Sequence, residues 1–211
     1  MSQSQYFDEA ARSWDENPAR HELAHALFHT IEKHISLNEK MVALDFGAGT
    51  GLVTLPLARH VASIIAVDAS PAMLEVLEQK ARTAGINIYT QIYDGVEYPD
   101  LGRNFDIVVT TMVLHHIPEP EGLLDQFDRW LKPGGWLVIA DLEPEDGSFH
   151  GDNPTVHHLG FNPQHLASLL EGRGMTLVAI ERPHHINKPQ PDGSSRDYPV
   201  FLTVARTRTD M

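Results

Sequence analysis

Between residues 41 and 142, short apolar runs alternate with segments of helical period, and this alternation leaves few folds open. "MVALDF", "SIIAVD", "INIYTQI", "FDIVVTTMV" and "GGWLVIADL" read as strands, and continuous apolar runs of this kind belong to strands buried on both faces. Between them lie "GLVTLPLARH", "SPAMLEVLEQKARTAG" and "PEGLLDQFDRWLK", each with a helical pattern. The second predicts its own limits, with Ser70 as N-cap, Pro71 at the first helical position and Gly85 as the stop. Strands and helices alternating in this way build a parallel sheet covered by helices on both sides, an α/β class of three layers.

The rhythm changes on either side of this stretch. Residues 19–35 place Leu23, Leu27, Ile31 and Ile35 four apart, an apolar stripe on an amphipathic helix, with His21, His25 and His29 on a different, polar side. After residue 142 come a long loop, "EPEDGSFHGDNPTVHHLG", and a capped helix, "NPQHLASLLEGRG". Two closing strands follow, "MTLVAIER" and "YPVFLTVART", separated by the polar, proline-rich "PHHINKPQPDGSSRD", which reads as a loop. With no helix between them these strands must pair antiparallel, so the sheet of seven strands ends in a hairpin. At 211 residues the chain is expected to form one domain.

Charge and composition narrow the partners. The net charge is −13, from 29 acidic and 16 basic side chains, and no run of Lys and Arg interrupts it. Such a field repels a phosphate backbone, so neither nucleic acid nor an anionic membrane surface is an expected partner. The amino terminus lacks a signal peptide's basic start and apolar core, and no apolar run reaches the roughly 20 residues that span a bilayer. The expected compartment is the cytoplasm. Zero cysteines excludes disulfides, thiolate metal sites and cysteine nucleophiles.

The first strand runs into "DFGAGTG", where Gly47, Gly49 and Gly51 occupy the turn at which an open α/β sheet binds its ligand. Glycines there allow positive φ and close approach of the backbone, and the following helix offers free N–H groups. The spacing is G-x-G-x-G. The dinucleotide fingerprint G-x-G-x-x-G would need glycine at Leu52, and the phosphate loop G-x-x-x-x-G-K-[ST] lacks both its lysine and its spacing. Asp68 closes the second strand about 20 residues on, where an acid takes the hydroxyls of an adenosine ribose, in NAD and S-adenosylmethionine alike. Asp45 either adds a carboxylate that suits a cationic sulfonium or complements the first helix turn electrostatically. Asp94 either reaches an adenine edge or is an ordinary turn residue in "YDG".

Taken in order, "VALDFGAGTGLVTLPLA", "IIAVDASPAML", "IYDG", "FDIVVTTMVLHHI" and "LKPGGWLVIADL" resemble the successive motifs of class I S-adenosylmethionine-dependent methyltransferases. The likeness covers residues 40–142 and implies a Rossmann-like sheet of seven mostly parallel strands with an antiparallel last strand. It implies that Gly47, Ala48 and Gly49 lie against the amino-acid part of S-adenosylmethionine and Asp68 on its ribose, with Ala69 near the adenine. Asp94 and Gly95 would stand at the adenine amino edge and Thr111 beside the methionine portion. The opening "YFDEAARSWDENPAR" is similar to the segment that folds over the cofactor in many small-molecule members. Residues 1–38 would thus form a helical lid with Tyr6 and Trp14 as shields or as plain packing. Residues 39–142 would form the cofactor half, and 143–211 the acceptor-side loops and closing strands.

The implied reaction moves a methyl group to an O, N or C nucleophile of a small molecule by in-line displacement, which needs alignment and exclusion of water rather than a covalent intermediate. His116 and His115, after the fourth strand, stand where a histidine takes a proton from the nucleophile, or else simply packs beside the cofactor. His157 and His158, in the long loop, rank behind them. Adjacent histidines on a strand point to opposite faces, so the His-His pairs do not chelate readily, and no metal is expected. A non-catalytic S-adenosylmethionine-binding protein and an NAD-dependent oxidoreductase stay open as alternatives. The acceptor and the oligomeric state have no signal in the sequence.

Overall fold

A computed structural model describes residues 3–93, 95–102, 104–151, 153, 155–190 and 193–209. Seven strands form one sheet: β1 (Val42–Phe46), β2 (Ser63–Asp68), β3 (Tyr89–Ile92), β4 (Phe105–Thr111), β5 (Leu131–Leu142), β6 (Thr176–Pro189) and β7 (Ser195–Arg206). Their order is β3-β2-β1-β4-β5-β7-β6. β1 pairs parallel with β2 and β4, β2 with β3, and β4 with β5; β7 runs antiparallel between β5 and β6. Six strands therefore share one direction and β7 opposes them, as the resemblance implies.

The helices are α1 (Gln3–Ala10), α2 (Pro18–His34), α3 (Thr54–Ala58), α4 (Pro71–Ala84), α5 (Pro120–Trp130) and α6 (Pro163–Gly172), with 3-10 turns at Ala11–Glu16 and Leu114–His116. The caps follow local chemistry. Ser70 Oγ accepts from Met73 N at 3.1 Å, and Gly85 closes α4 at φ +66°. Asn17 and Asn162 cap α2 and α6 in the same way, each followed by proline. α3 keeps only five residues, and Pro56 sits in its first turn, where a missing N–H costs no helical bond.

The core divides across the sheet. One cluster joins Leu23, Leu27, Ile31 and Ile35 of the α2 region to Ala43, Ile107, Val138 and Val204 of the strands; the other seats Leu123, Phe127 and Leu170 against Leu44, Val108 and Phe201. His21, His25 and His29 face outward. No helix of the described residues is long and apolar enough to cross a membrane.

The segment 183–197, expected to be a loop, is instead mostly a β-ribbon, since β6 extends to Pro189 and β7 begins at Ser195. Pro183, which argued against a strand, falls where the register shifts between Glu181 and His184, a bulge that has no need of its missing N–H. β5 likewise starts at Leu131, ahead of the Pro133-Gly134-Gly135 turn, which the pairing absorbs as an irregularity between Phe105 and Ile107.

Candidate active site

At the carboxyl ends of β1, β2 and β4 the structure holds a cavity of about 180 Å³. Gly47 and Gly49 line it and Gly51 follows in the same turn, at φ +78°, +55° and +84°, and the N–H groups of Gly47 and Ala48 donate to Val67 O at 2.7 and 3.0 Å. A Cβ on Gly47 would stand 2.1 Å from Val113 Cγ2, and one on Gly51 2.1 Å from Leu77 Cδ1. Gly49 differs: nothing lies within 4 Å of its Cβ position, because that side faces the cavity. Two glycines are thus required by packing and the third leaves room for a ligand.

Asp68 lines the cavity and uses both oxygens on the backbone around it, Oδ2 accepting from Gly49 N at 2.7 Å and Oδ1 from Ser70 N at 2.9 Å. Burial pushes its carboxyl above the ordinary range even against those donors. Asp45 lies behind the loop and does not line the cavity. Its Oδ2 accepts from Thr54 Oγ1 at 2.6 Å, while Oδ1 is buried with no partner among the described residues. Burial pushes this carboxyl up to about 7.

Ala48, Ala69, Gly95 and Thr111 also line the cavity; Asp94 lies outside the described residues. Met112, next to Thr111, holds φ +59°, a strained conformation for a side chain of its kind. Its N–H donates to Ala140 O at 2.8 Å, which fixes the exit from β4.

The amino-terminal segment lies over the mouth. Asp8 Oδ1 accepts from Ser70 Oγ and Ala72 N at 2.5 and 3.1 Å. Asp15 accepts from Thr50 Oγ1 and from Lys80 Nζ, both at 2.5 Å. These bonds bring Phe7 and Trp14 to the cavity wall, whereas Tyr6, expected there, instead packs edge-on against Phe7. The side chains are one residue apart on α1 and cannot share a face.

The two histidines after β4 part company. His116 reaches the cavity, and its Nδ1–H donates to Thr155 O at 2.9 Å. A carbonyl can only accept, so that bond fixes the tautomer and leaves Nε2 with a free lone pair. Burial, and next the charge of His115, lower its pKa to about 4. His115 turns away from the cavity, its Nδ1–H donating to Asp141 Oδ1 at 2.7 Å, and it is 3% exposed. His157 and His158 do not line the cavity either. Their N–H groups donate to His115 O, and His158 Nε2–H donates to Ile117 O, so they tie the 143–160 segment down beside the site.

Sequence reasoning missed Phe7, Arg20, Tyr93 and Met112, and it read Leu23 and Leu27 as core alone although both also line the cavity. Only Arg20 left a trace, as the one cation near the start of an amphipathic helix otherwise rich in histidine. Among the described residues no group of three or more His, Cys, Asp or Glu side chains is placed to hold a metal.

Glycines of the first strand-to-helix turn, an acid at the end of β2 and side chains of the amino-terminal segment thus line one cavity at the carboxyl edge of an α/β sheet. Residues 19–180 match the family model described as a methyltransferase domain, and the chain belongs to that family. It is 31% identical over 156 residues to an uncharacterized methyltransferase, C1347.09, of Schizosaccharomyces pombe, covering 66% of this chain and 55% of that one. It is 33% identical over 112 residues to a ubiquinone biosynthesis O-methyltransferase of Coxiella burnetii, covering 53% and 47%. The chain thus spans about half the length of these curated relatives. The fold resembles the YcgJ protein of Bacillus subtilis, with TM-score 0.74, 17% identity, and 88% of this chain and 99% of that one covered. It also resembles a SAM-dependent methyltransferase from Aquifex aeolicus, with TM-score 0.70, 20% identity, and 94% and 97% covered.

Proposed function

We propose that this chain is an S-adenosylmethionine-dependent methyltransferase that methylates a hydroxyl of a small molecule. The observation that carries the reading is the pairing, in one cavity, of Asp68 beside the open face of Gly49 with the free Nε2 of His116. The residues fit the cofactor's chemistry. Asp68 suits the ribose hydroxyls, and Tyr93 and Phe46 offer flat apolar walls to an adenine. Arg20, which makes no ion pair with a described carboxylate, suits the carboxylate of the amino-acid part, and Thr111 lies near the methionine chain. Asp45, with its unpartnered Oδ1 behind the loop, contributes negative potential toward a cation without touching it.

When bound, S-adenosylmethionine supplies a methyl group on a cationic sulfur, which a nucleophile displaces in line. The chain's task is to align the acceptor oxygen and to take its proton. His116 is kept neutral by burial, lines the cavity and has its Nδ1–H on Thr155 O, which leaves Nε2 to accept that proton as the oxygen attacks. Phe7, Trp14, Leu23 and Leu27 make that side apolar and exclude water.

In this reading residues 1–38 act as lid, 39–142 as cofactor half and 143–211 as acceptor side, in one domain. A surface at −13 favours neither nucleic acid nor a membrane as partner, and the cytoplasm suits such a chain. O-methylation is chosen over N and C because a hydroxyl needs a base of this kind; the Coxiella relative is likewise named an O-methyltransferase. The test is calorimetric titration with S-adenosylhomocysteine and with NAD, followed by methyl turnover on a panel of phenols, amines and carbon acids. Binding of the first ligand alone with turnover of phenols is the expected result. NAD binding, or turnover confined to amines, overturns it.

A further inference from the structure

The ring of His116 is held by groups that stand outside the cavity. Its Nδ1 meets two oxygens of one residue, Thr155 O at 2.9 Å and Thr155 Oγ1 at 3.2 Å. The carbonyl can only accept, whereas a hydroxyl can turn and donate. Donation to Nδ1 would need a lone pair on that nitrogen, and the ring proton would then sit on Nε2. A ring in that form has nothing at Nε2 with which to take a proton.

Asn153 removes the choice. Its Oδ1 accepts from Thr155 N at 3.0 Å and from Thr155 Oγ1 at 2.8 Å. A backbone N–H only donates, so the shared atom is the amide oxygen, and the hydroxyl proton points to it. The hydroxyl then faces His116 as an acceptor, and both oxygens of Thr155 call for the proton on Nδ1. Neither Asn153 nor Thr155 lines the cavity, and Thr155 is buried. The loop that carries them is tied down separately. His157 N and His158 N donate to His115 O at 2.9 and 3.2 Å, and His158 Nε2–H donates to Ile117 O at 3.0 Å. Asn153 is therefore not needed to hold Thr155 O against the ring, and what it adds is the direction of one hydroxyl proton.

We propose that Asn153 is a positioning residue: through the Thr155 hydroxyl it keeps His116 in the Nδ1–H tautomer, with Nε2 open to the methyl acceptor's proton. The use of that tautomer rests on the methyltransferase reading, to which the proposal adds the group that selects it. As the acceptor oxygen bonds the methyl carbon and the carbon–sulfur bond breaks, the oxygen's proton passes to Nε2. The positive charge lost at sulfur appears on the ring.

The experiment records the ring-nitrogen NMR correlations of histidine-labelled protein near pH 8, which separate the two tautomers of a neutral imidazole. The His116 signals are those lost in His116→Gln. The wild type should show His116 in the Nδ1–H form alone, and so should Asn153→Asp, which keeps an acceptor for the hydroxyl. Asn153→Ala, or Asn153→Leu where a bulkier side chain is needed to keep the fold, releases the hydroxyl. The Nε2–H form should then appear at about a tenth of the ring or more, since one neutral hydrogen bond replaces another. Adding Thr155→Val removes the hydroxyl altogether and should restore the wild-type form, a rescue that a merely structural role of Asn153 does not produce. A wild-type ring protonated on Nε2, a ring unchanged by loss of Asn153, or a second form that persists in the double variant overturns the proposal. If the wild type does not bind S-adenosylhomocysteine, the methyltransferase reading fails, while the tautomer measurements, which need no ligand, still decide the role of Asn153.

Discussion

The carboxylate of Asp141, wholly buried at the end of β5, accepts the Nδ1–H of His115 through Oδ1 at 2.7 Å and its backbone N–H through Oδ2 at 3.3 Å. This pair pins the 3-10 turn Leu114–His116 to the neighbouring strand and thereby aims His116. Removing one partner leaves the other buried and unsatisfied. We expect Asp141→Ala to lower unfolding free energy by about 2–4 kcal/mol in urea titrations. A change under about 0.5 kcal/mol would mean that water replaces the carboxylate at no cost.

Asp68→Ala removes an acceptor from the cavity wall and frees Gly49 N and Ser70 N. Cofactor binding should weaken by roughly 1.5–3 kcal/mol, one to two decades in the dissociation constant for S-adenosylhomocysteine. Unchanged affinity in a folded variant would remove the ribose assignment.

His116→Ala should slow turnover more than it weakens cofactor binding, by on the order of 10²-fold, the low end of general-base contributions. Because burial and His115 set its pKa at about 4, the wild-type rate should not fall with protonation of this ring between pH 6 and 8. The same shift bears on stability. The folded pKa lies below the unfolded value of about 6.5, so the unfolded chain binds the extra proton between the two. The contribution, up to about 3 kcal/mol, is present above pH 6.5 and is lost as pH falls toward 4. Denaturant midpoints of wild type and His116→Ala should converge across that window, and parallel curves would contradict the shift.

Asp45 titrates in the opposite sense. Its folded pKa, about 7, lies above the unfolded value near 3.9, so its favourable contribution is present below the unfolded value and lost as pH rises through 7. Asp45→Asn should therefore raise the melting temperature of the ligand-free protein near pH 8 and change it little below about pH 4. It should also weaken binding of S-adenosylmethionine more than binding of S-adenosylhomocysteine, which lacks the sulfonium charge. Equal losses for the two ligands would deny Asp45 any effect on the positive charge.

The parts of the fold that were legible carry strong local signals. Ser70, Pro71 and Gly85 bounded α4 because capping chemistry lies within the helix itself, and β1 to β4 were plain from apolar runs. The ribbon beyond Glu181 was not, because its pairing depends on a partner strand and its prolines sit at a bulge and at an end. The site divides the same way. Gly47, Ala48, Gly49, Asp68, Ala69 and Thr111 line the cavity by virtue of their places at strand ends, which sequence order reveals. His115 and His116 look equivalent in sequence, and only the hydrogen bonds to Asp141 and Thr155 separate a buried strut from a cavity-facing base. Phe7 and Arg20 come to the site through long-range packing, which no local pattern encodes.

The position of β7 also governs the order in which the molecule can be assembled. β6 has β7 as its one neighbour in the sheet, and β5 is flanked by β4 and β7, so residues 176–189 have no strand to pair with until 195–206 have followed them. During synthesis β1 to β5 have their parallel partners available first, and the ribbon of β6 and β7 is completed when the later strand slots between two that precede it. A chain cut after residue 190 should therefore retain β1 to β5 with an open edge, exposed to pairing with a second copy.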